Sequence, residues 1–461
     1  MPIIFYDTET TGTRTSFDQI LQFAAIKTDD EFNVLDEFDV RCRLLPYIVP
    51  SPGALLVTGV TVADITTCSI SHFEMMRQVH AKMYEWSQGG AVFVGWNSMR
   101  FDETMLRQAY YQSLLPVYQT NTNGNGRADI MRMAQVVSAC APNTLAISLQ
   151  ADGKRAFKLG LIAAANNVVL EHAHEALADT SATLGVAKLI KQRAPAMWDA
   201  LIANARKSGP LSLLKSEPVL LLSERYYSNA FNFIVAAIVA NADNANEWAV
   251  FDLQYDPADY LDASDDDLHA AIDGKIRAIR RVSINSQPGL LPVDFAPDDI
   301  QGGRQSLETY QARAQLIREH SAFRQRIARL LAARYEDKAE SANVEERIYS
   351  GFPSNDDQAL MHSFHEENWE DRSGIIQEIK DDRYRQLGQR IIATERPDLL
   401  TDRQRQLWVS WCRERLCSND DTPWLAVPRA LEELSELAKT ATPDQLRQLA
   451  DLQRFLNSLS N

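Results

Sequence analysis

The sequence predicts an α/β domain, then a small β-rich module with helical inserts, then an all-α C-terminal region. Three observations carry this. Short apolar runs alternate with helical patterns up to about residue 193. From about 195 to 340, strand-like runs are separated by turns rich in Asn, Asp and Gly. From about 342 onward the periodicity is helical. The implied domains are 1–193, 195–340 and 342–461.

In the first domain, Pro2–Tyr6 and Gln22–Thr28 read as strands. Ala91–Trp96 (AVFVGW) is a short, continuous apolar run, as expected of a strand buried on both faces. A helical pattern follows from Asp102 to Leu115. Another runs from about Glu175 to Lys191, with Leu177, Leu184, Ala187 and Leu189 spaced for burial. Pro195 reads as a boundary. In the second domain the strand candidates are Val219–Leu222, Phe233–Ala240, Trp248–Leu253 and Ile276–Ile284. The inserts are Asp265–Ile272 and the Arg-rich Arg304–Tyr335. Near the end, Thr442 caps a helix with Pro443 at its first position.

Composition narrows the class. The 461 residues carry 47 Lys+Arg and 62 Asp+Glu, a net charge of −15. With 45% hydrophobic and 24% charged residues, disorder and collagen-like order are excluded. No run approaches the roughly 20 apolar residues of a membrane helix, and the N-terminus lacks the basic flank of a signal peptide. The five cysteines (Cys42, Cys68, Cys140, Cys412, Cys417) are scattered without a CxxC pair. That argues against zinc or a disulfide framework and for a reduced, cytoplasmic setting. Net acidity speaks against a partner held by global charge, but charge is not evenly spread. Arg304–Tyr335 holds seven Arg against two acids, and Lys275, Arg277, Arg280 and Arg281 form a second basic cluster. These clusters, with Tyr226, Tyr227, Phe231 and Tyr310, are candidates for binding a single strand of nucleic acid. Tyr226, Tyr227 and Phe231 are equally core candidates.

The chemistry centres on four carboxylates and a histidine. Asp7 and Glu9 sit two apart beside the first strand, so their side chains share a face. Alone, such a pair is equally a solvated turn. Asn97-Ser98-Met99-Arg100-Phe101-Asp102 links a buried strand to a helix, where Asp102 is alternatively an N-cap. His174 precedes Asp179 by five residues, and Asp179 lies in an apolar helical pattern that disfavours a lone carboxylate. His172 is a nearby competitor. Together the four carboxylates offer hard oxygen donors, which select Mg²⁺ or Mn²⁺ over zinc. Four of them suit a pair of ions about 4 Å apart, acting on a phosphodiester.

These elements, D-x-E, N-x₃-F-D and H-x₄-D in order, resemble the DEDDh 3′→5′ exonucleases. The resemblance to the bacterial exodeoxyribonuclease I family extends further, through Gln22–Ile26, Glu31–Val34, Pro52-Gly53-Ala54, Thr58–Thr61 and Ile348–Phe352 followed by Asp356. It implies a ribonuclease H-like nuclease domain, an SH3-like accessory domain and a helical C-terminal domain. It implies removal of nucleotides from the 3′ end of single-stranded DNA, with release of 5′-mononucleotides. Asp7, Glu9, Asp102 and Asp179 are then ligands for two Mg²⁺ ions, with Mn²⁺ as a substitute, and His174 is the general base. Glu9, Thr10, Thr11 and Gly12 border the terminal nucleotide. Lys158 stands where the family usually carries a phosphate-contacting Arg. The first motif, Asp-Thr-Glu-Thr-Thr-Gly, is closer to proofreading subunits than to the family's usual form. The resemblance further implies a monomer that docks the acidic C-terminal tail of single-stranded DNA-binding protein, with candidate contacts among the Arg residues of 372–415, in repair and recombination. RNA trimming, proofreading and a non-catalytic DNA-binding adaptor are the competing readings.

Overall fold

The computed structural model describes residues 1–150, 153–170, 175–226, 229–334 and 339–459; the side chains of 225 and 229 lie outside the description. The first sheet contains β1 (Ile3–Thr10), β2 (Ile20–Thr28), β3 (Val34–Arg41), β4 (Val92–Gly95) and β5 (Gly126–Asp129). Their order is β3-β2-β1-β4-β5. β1 pairs antiparallel with β2 and parallel with β4, so β1 is central and covered on both faces. Side-chain parity sorts its residues. Ile3 and Phe5 pack with Ala182, Val186 and Ile190 of the helix Ala176–Arg193. Ile4 and Tyr6 face Met75, Val79 and Leu106 of the helices His72–Trp86 and Asp102–Gln112.

β1 is longer than Pro2–Tyr6. It continues to Thr10 because β2 supplies a pairing partner as far as Ile20, with one irregularity between Glu9 and Thr10. The strand thus carries Asp7 and Glu9 within it. Pro195 opens a helix, Pro195–Ala203, that packs back on the first sheet: Trp198 stands edge-on to Phe32 at 5.2 Å.

The middle module is a five-stranded antiparallel sheet. Its strands are β6 (Leu220–Tyr226), β7 (Asn229–Ala240), β8 (Glu247–Asp252), β9 (Ile279–Ser283) and β10 (Leu290–Pro292), in the order β10-β6-β7-β8-β9. The Arg-rich insert forms the helices Leu307–Glu319 and Ser321–Ala332, which bury Tyr310, Ile317, Phe323 and Ile327 in this module's core.

The C-terminal helices wrap the nuclease sheet. Glu433 accepts hydrogen bonds from Ser51 Oγ at 2.7 Å and Gly53 N at 2.9 Å. A Cβ on Gly53 would lie 2.9 Å from that same carboxylate oxygen, so glycine permits the contact. Among the described residues, no helix is long and apolar enough to cross a membrane.

Candidate active site

β1 delivers Asp7 and Glu9 on the Ile3/Phe5 face, toward the helix that carries Asp179. Ligand oxygens of Asp7, Glu9 and Asp179 lie within 4.8 Å of one another. Thr8, of opposite parity, turns to the other face. There its amide and hydroxyl donate to Asp102 Oδ1 at 3.2 and 2.6 Å. Asp102 is therefore no N-cap: it is the first residue of its helix, and Phe101 before it makes no side-chain cap. The C-terminal half of β1 and the helix packed on it bring three carboxylates together, and Thr8 ties the fourth in from behind.

The electrostatics are those of a site short of positive charge. Burial raises the Asp7 carboxyl well above its ordinary value, and Asp102, Glu9 and Asp179 raise it further. Glu9 is pushed up to about 8 by burial and by Asp179 and Asp102, against an opposing pull from Arg41. Asp102 is pushed to about 7 by burial, with the Thr8 bonds resisting. Four mutually repelling oxygen donors of this kind fit divalent cations of the Mg²⁺ class. His174 and its competitor His172 lie outside the described residues, as does Tyr227.

Thr10 and Thr11 are buried, and their hydroxyls are committed: Thr10 to Gly12 O at 2.8 Å, Thr11 to Asp18 at 3.2 Å. What this segment can offer a ligand is its backbone. A Cβ on Gly12 would lie 2.5 Å from Asp18, so the turn closes only with glycine there. Lys158 is exposed, at the start of the helix Leu159–Ala165.

A cleft of about 560 Å³ opens between the nuclease and middle modules. Arg100, Arg132 and Arg155 line it from one side, Tyr226, Arg281 and Gln287 from the other. The basic residues in it are largely not those singled out by local charge counts. In Arg304–Tyr335, Arg326 pairs with Asp265 at 2.8 Å and Arg334 with Asp273 at 2.9 Å. Arg313 donates to the carbonyls of Leu253 and Gln254. Tyr310 is core rather than a stacking platform. The partner-pocket candidates fare similarly. Arg383 pairs with Asp381, Arg390 and Arg415 with buried Glu345, and Arg396 with Asp398 and Glu370. Arg372 is buried over the Trp369 ring at 4.0 Å. Only a minority of that arginine run, such as Arg403 and Arg413, stands exposed.

Sequence reasoning passed over Asp129. It is wholly buried at the end of β5, where it caps the helix Ile130–Cys140 and accepts from Asn97 N at 2.9 Å. Its signal was an Asp before Ile130, Met133, Ala134 and Val137, a helix start hidden behind a polar loop.

Known proteins match this arrangement. A family model described as "Exonuclease" matches residues 4–187, and one described as "Exonuclease I C-terminal domain" matches 342–459. Exodeoxyribonuclease I of Escherichia coli is 27% identical over 373 residues, covering 78% of each chain. That of Haemophilus influenzae is 28% identical over 374 residues, covering 77% of this chain and 78% of its own. Exonuclease I from Methylocaldum szegediense superposes with a TM-score of 0.85 at 24% identity, over 100% of both chains. The E. coli enzyme in complex with a dA16 oligonucleotide gives 0.84 at 24% identity, and an SSB/exonuclease I structure 0.83 at 24%, each over 99% of both chains. With its nuclease domain at one end, its helical domain at the other and relatives spanning more than three quarters of its length, the chain belongs to the exonuclease I family.

Proposed function

We propose that the chain hydrolyses single-stranded DNA from its 3′ end, releasing 5′-mononucleotides. The observation that carries this is the meeting of Asp7, Glu9 and Asp179 oxygens within 4.8 Å, with Asp102 held behind them by Thr8. Such a donor set suits two divalent ions, Mg²⁺ with Mn²⁺ as a substitute. Bound there, they supply Lewis-acid stabilisation of the attacking and leaving oxygens.

The chain's own groups do the rest. His174, five residues before Asp179 in sequence, takes the proton of the attacking water. The Thr10–Gly12 backbone, directly after Glu9, seats the terminal nucleotide. Lys158 contacts a phosphate as a point charge, without the fork of an arginine. Arg100, Arg132, Arg155 and Arg281 follow the strand along the cleft, and Tyr226, 41% exposed, offers a ring for a base. A neutral backbone contact and a few arginines in one cleft reconcile DNA binding with a net charge of −15. Docking of single-stranded DNA-binding protein, which the SSB/exonuclease I structure supports, belongs to the same reading, as do a monomeric state, a cytoplasmic location and a part in repair and recombination.

The test uses single strands and duplexes labelled at the 3′ or 5′ end, with Mg²⁺, and matched RNA. Wild type should release the 3′ label first, as mononucleotide, from single-stranded DNA. Asp7→Ala and His174→Ala should not. Initial attack at the 5′ label, or preference for RNA, overturns the reading.

A further inference from the structure

We infer that Gln287, in the middle module, is a positioning residue for the carboxylate of Asp102 in the nuclease domain. The link rests on the metal-binding role proposed for Asp102.

The loop after β9 is gripped at three points by the end of β5 and the first turn of the helix that follows it. Arg127 donates to Asn285 O at 2.9 Å, and Arg132 to Ser286 O at 2.6 Å. Between them, Asp129 N donates to Gln287 Oε1 at 2.6 Å. Because the partner is an N–H, the amide oxygen must be the end that faces it. Gln287 carries two costs. Its φ is +46°, a left-handed conformation unfavourable for a side chain with Cβ. Its Nε2 is buried without a hydrogen-bond partner among the described residues. Glycine or asparagine would meet the backbone requirement more easily. What glutamine adds is reach to Asp129.

Asp129 passes the contact on. Its Oδ1 accepts from Asn97 N at 2.9 Å and its Oδ2 from Met99 N at 3.4 Å. Asn97 is itself left-handed, at φ +58°. This fixes the tight turn out of β4, where Ser98 O accepts from Glu103 N at 2.9 Å and the Asp102 helix begins. The turn admits little slack: a Cβ on Gly95 would lie 2.6 Å from Ser98 Cβ and 2.9 Å from Tyr6 O. Asn97, Arg100, Ser286 and Gln287 all line the cleft. A strand lying there therefore touches both ends of the relay, and the middle module helps set the ligand geometry it feeds.

The test is Mn²⁺ binding to the metal-free, full-length protein, measured by electron paramagnetic resonance, beside steady-state kinetics on single-stranded DNA. Gln287→Met removes the acceptor at similar volume. It should weaken Mn²⁺ binding about threefold, less than the roughly 10-fold lost with a group bonded directly to a metal ligand. Its kcat should fall with KM within twofold of wild type. A merely structural role would lower the melting temperature and leave Mn²⁺ affinity intact in the folded protein; that result overturns the link. If Gln287→Met does not fold, Gln287→Asn, one methylene short of Asp129, is read by the same criteria. Asp7→Ala separates the layers. If it binds Mn²⁺ as wild type does, the metal reading itself fails, and the link with it.

Discussion

Glu345 and Glu9 are both carboxylates removed from water, 1% and 7% exposed, yet they are set in opposite surroundings. Glu345 arrives with its own counter-charges. Arg390 and Arg415 reach it at 2.7 and 2.8 Å, and hold its carboxyl below the usual range despite burial. Arg415 in turn lies 5.6 Å from the Phe17 ring centroid and 5.7 Å from that of Tyr47, so the pair pins the C-terminal helices to the nuclease domain. Glu9 instead meets Asp179 and Asp102, which with burial push it up to about 8. Even Glu103, adjacent to Asp102 in sequence, is satisfied by Arg107, Arg127 and Thr120. The contrast separates carboxylates that build the fold from carboxylates left for something else to neutralise.

The contrast can be broken at either end. The largest effect is expected at Asp102. Asp102→Asn keeps an oxygen for Thr8, so the fold should survive, while the rate of DNA hydrolysis should fall by about 10⁴-fold, as for other members of a catalytic unit. Single-turnover assays check this. Glu345→Gln should do the reverse. It leaves the buried Arg415 and half-buried Arg390 without their counter-charge and should cost about 3 kcal/mol of stability, read by chemical denaturation.

The pH dependence sharpens the same point. In metal-free protein Asp102 and Glu9 hold protons up to about 7 and about 8, well above their ordinary values of 3.8 and 4.5. The folded state then binds more protons than the unfolded one between those limits, so stability falls as pH rises. The contribution is complete below about pH 4 and is lost as pH passes through 7 and 8. Melting in EDTA should show a higher transition at pH 5.5 than at 8.5, and Mg²⁺ should remove most of that slope. The smallest effect concerns the cleft. Arg100→Ala should raise KM for single strands several-fold and reduce the salt slope by about 1. Arg326→Ala, in the Arg-rich helices and already paired with Asp265, should leave both unchanged.

How much of this was legible depended on locality. D-x-E could be read because strand parity is a two-residue rule, Asp102 because it closes the short N-x₃-F-D segment after a buried strand, and Asp179 because a lone carboxylate stands out in an apolar helical pattern. β3 was missed: VLDEFDVR is an exposed, acidic edge strand without an apolar run. β5 was missed because its four residues include Arg127 and Asp129. The local charge count over Arg304–Tyr335 overstates the free charge for the same reason. A local charge count cannot see Asp265 and Asp273, some sixty residues earlier, folding against Arg326 and Arg334. The relay from Gln287 through Asp129 to the turn before Asp102 joins residues 158 positions apart, which no local pattern records.

On this reading the cluster of Asp7, Glu9, Asp102 and Asp179 is destabilising by itself and becomes favourable only with divalent cations. The most direct measurement is the melting temperature of Asp7→Asn against wild type at pH 8, in EDTA and in Mg²⁺. The variant should melt higher than wild type in EDTA, where one repelling charge is gone, and lower in Mg²⁺, where one ligand is gone. A variant that melts lower in both conditions by the same amount would contradict the account.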